Sequence, residues 1–195
     1  MMDIQNYLQY DDIYAVLQKY ITFRDHSHEK KVSEYARIIV NSLDPTFSFS
    51  TEERNMLEYS AYLHDIGYFI NKKSHHKHTS YIIFNDPTFN CLPLDLRSIL
   101  ALVSRGHRKS IGKSINDHTY SEQTIIRRLA SVLRLADSID HMHEVDVCID
   151  EIVISKEHLI LYLKGRDIIK VIKRINEKSD LFRENFNMDV LVQGI

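Results

Sequence analysis

The period of the apolar residues changes once along this chain, and that change limits its folds more than any other feature. As far as about residue 144, apolar side chains recur every three or four positions, the spacing of helices with one buried face. Beyond it, in "VDVCIDEIVISKEHLILYLKG", β-branched residues nearly alternate with polar ones, the spacing of strands. The first pattern predicts a helix over 4–22, a second over about 27–43 that stops near Pro45, and a third capped by Ser50 or Thr51 and closed by Gly67. Shorter helices are expected over 78–85 and, after Pro93, over 94–105, followed by a long one from a Ser121 cap. The second pattern predicts a hairpin turning at 156–158, an amphipathic helix in "RDIIKVIKRINEK" and a last strand in "DVLVQ". The expected fold class is therefore mainly α: a helical bundle over residues 1–144 and a small α+β piece over 145–195.

Composition narrows the function classes. A chain of 195 residues suits one domain with a small appendage. Its 25 basic and 27 acidic residues give a net charge of −2, with no global pull toward nucleic acid or anionic membrane, although a local basic patch still counts. Cys91 and Cys148 form no CxxC pair, the N-terminus lacks a basic, apolar leader, and no apolar run approaches the ~20 residues of a membrane span. A cytoplasmic protein without membrane contact is expected. The eleven histidines, clustered at 26–28, 75–78 and 141–143, ask for a reason.

"YSAYLHDIGYFI", residues 59–70, sets His64 and Asp65 in an apolar run, where an unpaired charge is costly. His28 opens the second predicted helix on its buried face, and Asp137 interrupts the apolar stripe of the long one. Two imidazoles and two carboxylates suit a borderline divalent cation held between helices of a bundle. The competing reading is a structural His–Asp hydrogen bond. "SRGHRKSIGKS" adds Arg105, Arg108, Lys109 and Lys113, cations suited to phosphate or, alternatively, a solvated loop. Asp140, one turn beyond Asp137, is placed to orient a ligand. His141 and His143 are read as trailing the long helix. Gly106 and Gly112 have five residues between them where a P-loop has four, which excludes that motif.

The order His…His-Asp…Asp resembles the HD superfamily of metal-dependent phosphohydrolases. The words "LHDIGYFI", "HHKHTSYII", "RGHRK" and "LRLADSID" are similar to the HD domain at the C-terminal end of the exopolyphosphatase/guanosine pentaphosphate phosphatase family. The resemblance implies that His28, His64, Asp65 and Asp137 are metal ligands, and that His78 and His107 hold a second ion, His75 and His76 being left out. It implies hydrolysis of a phosphate ester or anhydride of a small molecule, a nucleotide, by water activated on one or two divalent cations (Mn, Fe, Co, Ni, Zn or Mg), with Asp65 as ligand and catalytic hydrogen-bond acceptor. That family's own phosphatase activity resides in an actin-like domain with glycine-rich loops. Five glycines, none so arranged, do not carry that activity over. Gly67, Tyr68, Phe69 and Ile70 also stand where alarmone hydrolases have an acidic pair. The rival expectation is a non-catalytic regulatory or nucleic-acid-binding module, favoured by the basic stretch at 105–113. Apolar hairpin edges permit a homodimer.

Overall fold

The computed structural model describes residues 1–141 and 146–195. His143 and the expected junction at 144/145 lie outside the described residues. The fold is mainly helical, with one small sheet near the C-terminus. Its helices are α1 (Tyr10–Tyr20), α2 (Ser27–Phe47), α3 (Thr51–Leu63), α4 (His75–Asn85), α5 (Leu94–Gly106) and α6 (Tyr120–Asp140). β1 (Val147–Ile154), β2 (His158–Gly165), α7 (Ile168–Lys178), α8 (Asp180–Phe186) and β3 (Asp189–Gly194) follow. β2 is central, antiparallel to β1 and parallel to β3.

Local chemistry explains the departures from expectation. The first predicted helix is broken into a 3-10 turn (Ile4–Asn6) and α1, because Asp12 caps the Gln9 backbone N–H and starts a new helix there. α2 runs past Pro45 by two residues. So close to a helix end, the missing N–H removes one bond, and the Asp44 carboxylate accepts the Phe49 N–H just beyond. Ser50 and Glu53 close a reciprocal capping box on α3. Thr119 and Glu122 do the same on α6, so Thr119 and not Ser121 is its cap. α8 was not anticipated; it shares the segment between α7 and β3.

Gly67 is not a helix cap of the left-handed kind. It lies in a 3-10 turn (Ile66–Phe69) onto which the start of α4 packs backbone to backbone: an added Cβ would stand 2.0 Å from the His75 carbonyl oxygen and 2.4 Å from the Thr79 nitrogen. The Gly67 N–H donates to Thr79 Oγ1 (3.1 Å), whose hydroxyl donates to the His64 carbonyl (2.7 Å). The end of α3 and the start of α4 are thus tied together.

α6 is the central strut. It packs against α2, α3 and α5 on one side and α7 and α8 on the other, so every side chain from Leu129 to Asp140 is buried. A helix surrounded in this way should be apolar all round. Arg134, Asp137 and Asp140 break that rule, and each has partners described below. Among the described residues, no helix is long and apolar enough to cross a membrane.

One ion pair outside this region, between exposed Lys19 and buried Asp86, sets a measurable pH dependence. Asp86 accepts from Lys19 Nζ (2.6 Å), the Tyr20 hydroxyl (2.6 Å) and the Thr88 N–H (2.9 Å). Burial pushes its pKa up, but these hydrogen bonds outweigh burial and hold it well below the usual 3.8. A depressed carboxyl pKa stabilises the fold above the unfolded value and loses that contribution as pH falls through the folded value. Asp86→Asn should therefore cost about 1–3 kcal/mol at pH 7. In urea melts the gap between variant and wild type should shrink below about pH 4; a gap constant down to pH 2 would contradict the assignment.

Candidate metal centre

Five helix ends converge beside the 3-10 turn that follows α3. His28 comes from the first turn of α2, His64 caps α3 and Asp65 follows it. His75 opens α4, His107 caps α5, and Asp137 and Asp140 lie in the last turns of α6. All seven are buried. Their placement at helix ends has a physical cause: a polar side chain there can bond the carbonyls left over by the helix. His64 Nδ1–H donates to the Ala61 carbonyl (2.7 Å), His107 Nδ1–H to Ser104 (2.6 Å) and His75 Nδ1–H to Lys72 (3.1 Å). His28 Nδ1–H donates to Asp140 Oδ2 (2.9 Å), and Asp140 Oδ1 also accepts from Lys31 Nζ (3.2 Å).

Carbonyls and carboxylates only accept, so these bonds place the proton of each neutral imidazole on Nδ1 and leave a bare lone pair on Nε2. The four Nε2 atoms face one another in pairs, His28 to His64 at 3.2 Å and His75 to His107 at 3.0 Å. Asp65 stands between the pairs. Its Oδ1 lies 3.5 Å from His64, 3.3 Å from His75 and 3.7 Å from His107, and its Oδ2 lies 3.8 Å from His28. Asp137 Oδ1 is 3.6 Å from His28 and 3.7 Å from His64. Facing lone pairs at such distances repel unless a cation or a proton lies between them. Two nitrogens bound to one tetrahedral ion at ~2.05 Å would be about 3.3 Å apart, so the spacing fits a shared ion. Among the described residues, His28–His64–Asp65 and Asp65–His75–His107 form two groups that could each hold a metal.

The electrostatics differ between the two groups. Burial, reinforced by Arg108 and neighbouring imidazoles, takes His75 down to about 3; burial with the His64 and His75 imidazoles carries His107 well below the ordinary value, so both stay neutral. Burial opposes the charged form of His64, but the Asp65, Asp137 and Glu29 carboxylates raise its pKa. Burial pushes Asp65 up to about 6, against the pull of His64 and Arg24. Arg24 donates to both oxygens of buried Glu29 (2.6 and 3.0 Å) and to Asp65 Oδ2 (3.2 Å). The residue set is rich in negative charge and lone pairs, which a divalent cation would balance.

A cavity of about 670 Å³ opens above these groups. Asp65, His75, His107 and Asp137 line it together with Arg24, Tyr68, Lys72, Arg108, His141 and Arg174. Tyr68 stacks on the His75 ring, centroids 4.0 Å apart, and burial takes its hydroxyl up to about 12, so it remains a neutral donor. Arg174 reaches the cavity from α7, across the boundary expected near residue 144.

The structure brings His28, His64, Asp65, Asp137, His107 and Asp140 together, with Asp140 against His28. It corrects other expectations. His78 is outside both groups, and His75 takes the place assigned to it, because α4 begins three residues earlier than its apolar pattern suggested. His76 is buried beside it, and burial with Arg105 and Lys109 takes its pKa to about 4. Of the cations chosen for phosphate, only Arg108 lines this cavity. Arg105, Lys109 and Lys113 line a groove elsewhere. Successive residues of α5 diverge by about 100°, and Lys109 then turns the chain with φ 57°. His141 does more than trail α6, since it lines the cavity. Arg24, Tyr68, Lys72 and Arg174 were missed. Only Arg24 had a signal: Glu29, one residue after a buried histidine in the first turn of a helix, needed a counter-charge.

Two curated proteins are similar to parts of this chain. The guanosine-5'-triphosphate,3'-diphosphate pyrophosphatase of Pseudoalteromonas atlantica is 34% identical over 114 residues, 57% of this chain and 22% of the relative. The protein of the same name from Pseudoalteromonas translucida is 25% identical over 143 residues, 70% of this chain and 28% of the relative. The chain therefore spans between a fifth and a third of these relatives' length. Residues 15–187, nearly all of the chain and all seven of the converging side chains, match the family described as Ppx/GppA phosphatase, domain III, and the chain belongs to that family.

Proposed function

We propose that this chain is an HD-type, metal-dependent phosphohydrolase acting on a phosphate ester or anhydride of a nucleotide. The observation that carries this reading is the pair of facing Nε2 lone pairs on either side of Asp65, at the floor of a cavity rimmed by Lys72, Arg108 and Arg174. His28, His64, Asp65 and Asp137 would hold one divalent cation, and Asp65, His75 and His107 a second. Such a cation supplies the positive charge that polarises a phosphoryl oxygen and brings the pKa of a water from 15.7 toward about 7.

The protein's own groups do the rest. Arg108 and Arg174 bind phosphate oxygens as planar, permanently charged donors, and Lys72 adds a point charge. An Asp65 oxygen accepts the hydrogen bond that orients the attacking water. Arg24 holds Asp65 and Glu29 in place, and Asp140 fixes the His28 tautomer. In this reading residues 1–144 carry the ligands, and residues 145–195 lend Arg174 to the substrate. The nucleotide part is supported by the relatives' names, pyrophosphatases of a guanosine tri- and diphosphate.

Protein purified without chelator should contain a divalent metal by mass spectrometry. With Mn²⁺ it should release phosphate from a guanosine nucleotide faster than from p-nitrophenyl phosphate. No release with any of Mn²⁺, Fe²⁺, Co²⁺, Ni²⁺, Zn²⁺ or Mg²⁺ would end the enzymatic reading. A further expectation concerns Asp140→Asn, which keeps the shape of the His28 partner but removes its charge. It should weaken metal affinity about 10–100-fold, read by competition with a chelating dye, while the far-ultraviolet circular dichroism stays unchanged.

A further inference from the structure

We propose that a second, separate groove on this protein binds the phosphate backbone of a nucleic-acid duplex, without reading its bases. The groove has a volume of about 890 Å³ and shares no lining residue with the metal cavity. Lys77 of α4, Arg105 at the end of α5, Lys109 and Lys113 of the following loop, and Arg127 of α6 all line it. None of these five has a carboxylate within 4 Å among the described residues. In a chain of net charge −2, five uncompensated cations in one groove are a concentration that needs a partner.

The loop that presents them is built and held. Buried Arg134 of α6 donates from Nε to the Gly106 carbonyl (3.0 Å) and from its second terminal nitrogen to the Lys109 carbonyl, and it pairs with Asp180 (3.4 Å). Lys109 is held at φ 57°, a conformation costly for a residue with a side chain, and Gly112 at φ 121° lies against the Arg105 guanidinium. Arg105 Nε is buried without a hydrogen-bond partner among the described residues. The Lys109 backbone and the Arg105 guanidinium, fixed in this way, lose little freedom on meeting an anion. The two acids of the groove, Asp180 and Glu184, stand beside Arg134 on α8, leaving the five cations unopposed.

The spread of these cations over α4, the loop and α6 suits several phosphates in series better than one ion. Among the described residues, no aromatic side chain lines the groove. Single strands are held largely by stacking on aromatic rings, so a duplex, contacted through its phosphates, is the matching partner. With about five phosphate contacts, the affinity should fall about 10²–10³-fold between 50 and 200 mM KCl.

The test uses the full chain and a fluorescent 20-base-pair duplex of mixed sequence, followed by anisotropy. Lys77→Glu, Lys109→Glu and Lys113→Glu together, all at exposed positions, should weaken binding at least 30-fold. The same change at Lys30, Lys156 and Lys173, which lie outside the groove, should weaken it less than threefold. Asp65→Ala should bind like wild type, since the site is independent of the metal centre. Absence of binding at 50 mM KCl, equal losses in the two triple variants, or tighter binding to the single strand would each overturn the proposal. Unchanged metal content in the groove variant shows that it is folded.

Discussion

Asp65→Ala should empty both halves of the metal centre at once, whereas Asp137→Ala and His107→Ala should each empty one. Among the described residues, Asp65 is the only side chain whose oxygens face both histidine pairs, with His28 and His64 on one side and His75 and His107 on the other. Metal analysis should therefore find a near-complete loss in Asp65→Ala and a loss of about half in each of the other two. Turnover should fall about 10³-fold or more in Asp65→Ala, the several kcal/mol that such a centre contributes to a phosphoryl transition state. Full metal content in Asp65→Ala would show that the two groups of side chains do not share this carboxylate.

The second large effect is expected far from any ligand atom. In Gly67→Ala the new methyl would have to occupy space 2.0 Å from the His75 carbonyl and 2.4 Å from the Thr79 nitrogen. Both are backbone atoms of α4, so no side-chain rotation relieves the clash, and α4 as a whole must move away from the end of α3. The cost is about 3 kcal/mol, which for a chain of this length lowers the midpoint by about 6–12 °C. The shift also draws His75 away from His107 and Asp65. Metal held by the His28, His64 and Asp137 side should persist while the other half is lost, a pattern different from that of Asp65→Ala. A variant that melts like wild type and keeps its full metal complement would show that α4 approaches this turn less closely than described here.

How much of the centre was legible follows from how each residue announced itself. His64 and Asp65 stood out because charged groups in an apolar run are expensive, and Asp137 and Asp140 because they interrupt a helical stripe. His28 followed from the buried face of its own helix. His75 was hidden, since its helix was read from the apolar residues that begin only at Tyr81, and nothing in "HHKH" says which imidazole turns inward. Arg174 and His141 were hidden for another reason: each lines the cavity across elements that are distant in sequence, and no local pattern encodes that approach.

The sequence by itself determined the helical body, the change to strands after it, the Ser50 cap of α3, and His28, His64, Asp65, Asp137 and Asp140 of the candidate metal centre. Each of these follows from periodicity, capping chemistry or the cost of burying charge, all of which act over a few neighbouring residues. Only the tertiary structure decided that His75 replaces His78, that Gly67 serves a close helix contact, and that Arg108 faces the cavity while Arg105 and Lys109 face a second groove. Those choices depend on how helices are rotated and how closely they pack. The contacts that fix rotation and spacing join residues far apart in the chain, so they come into being only when the whole core does.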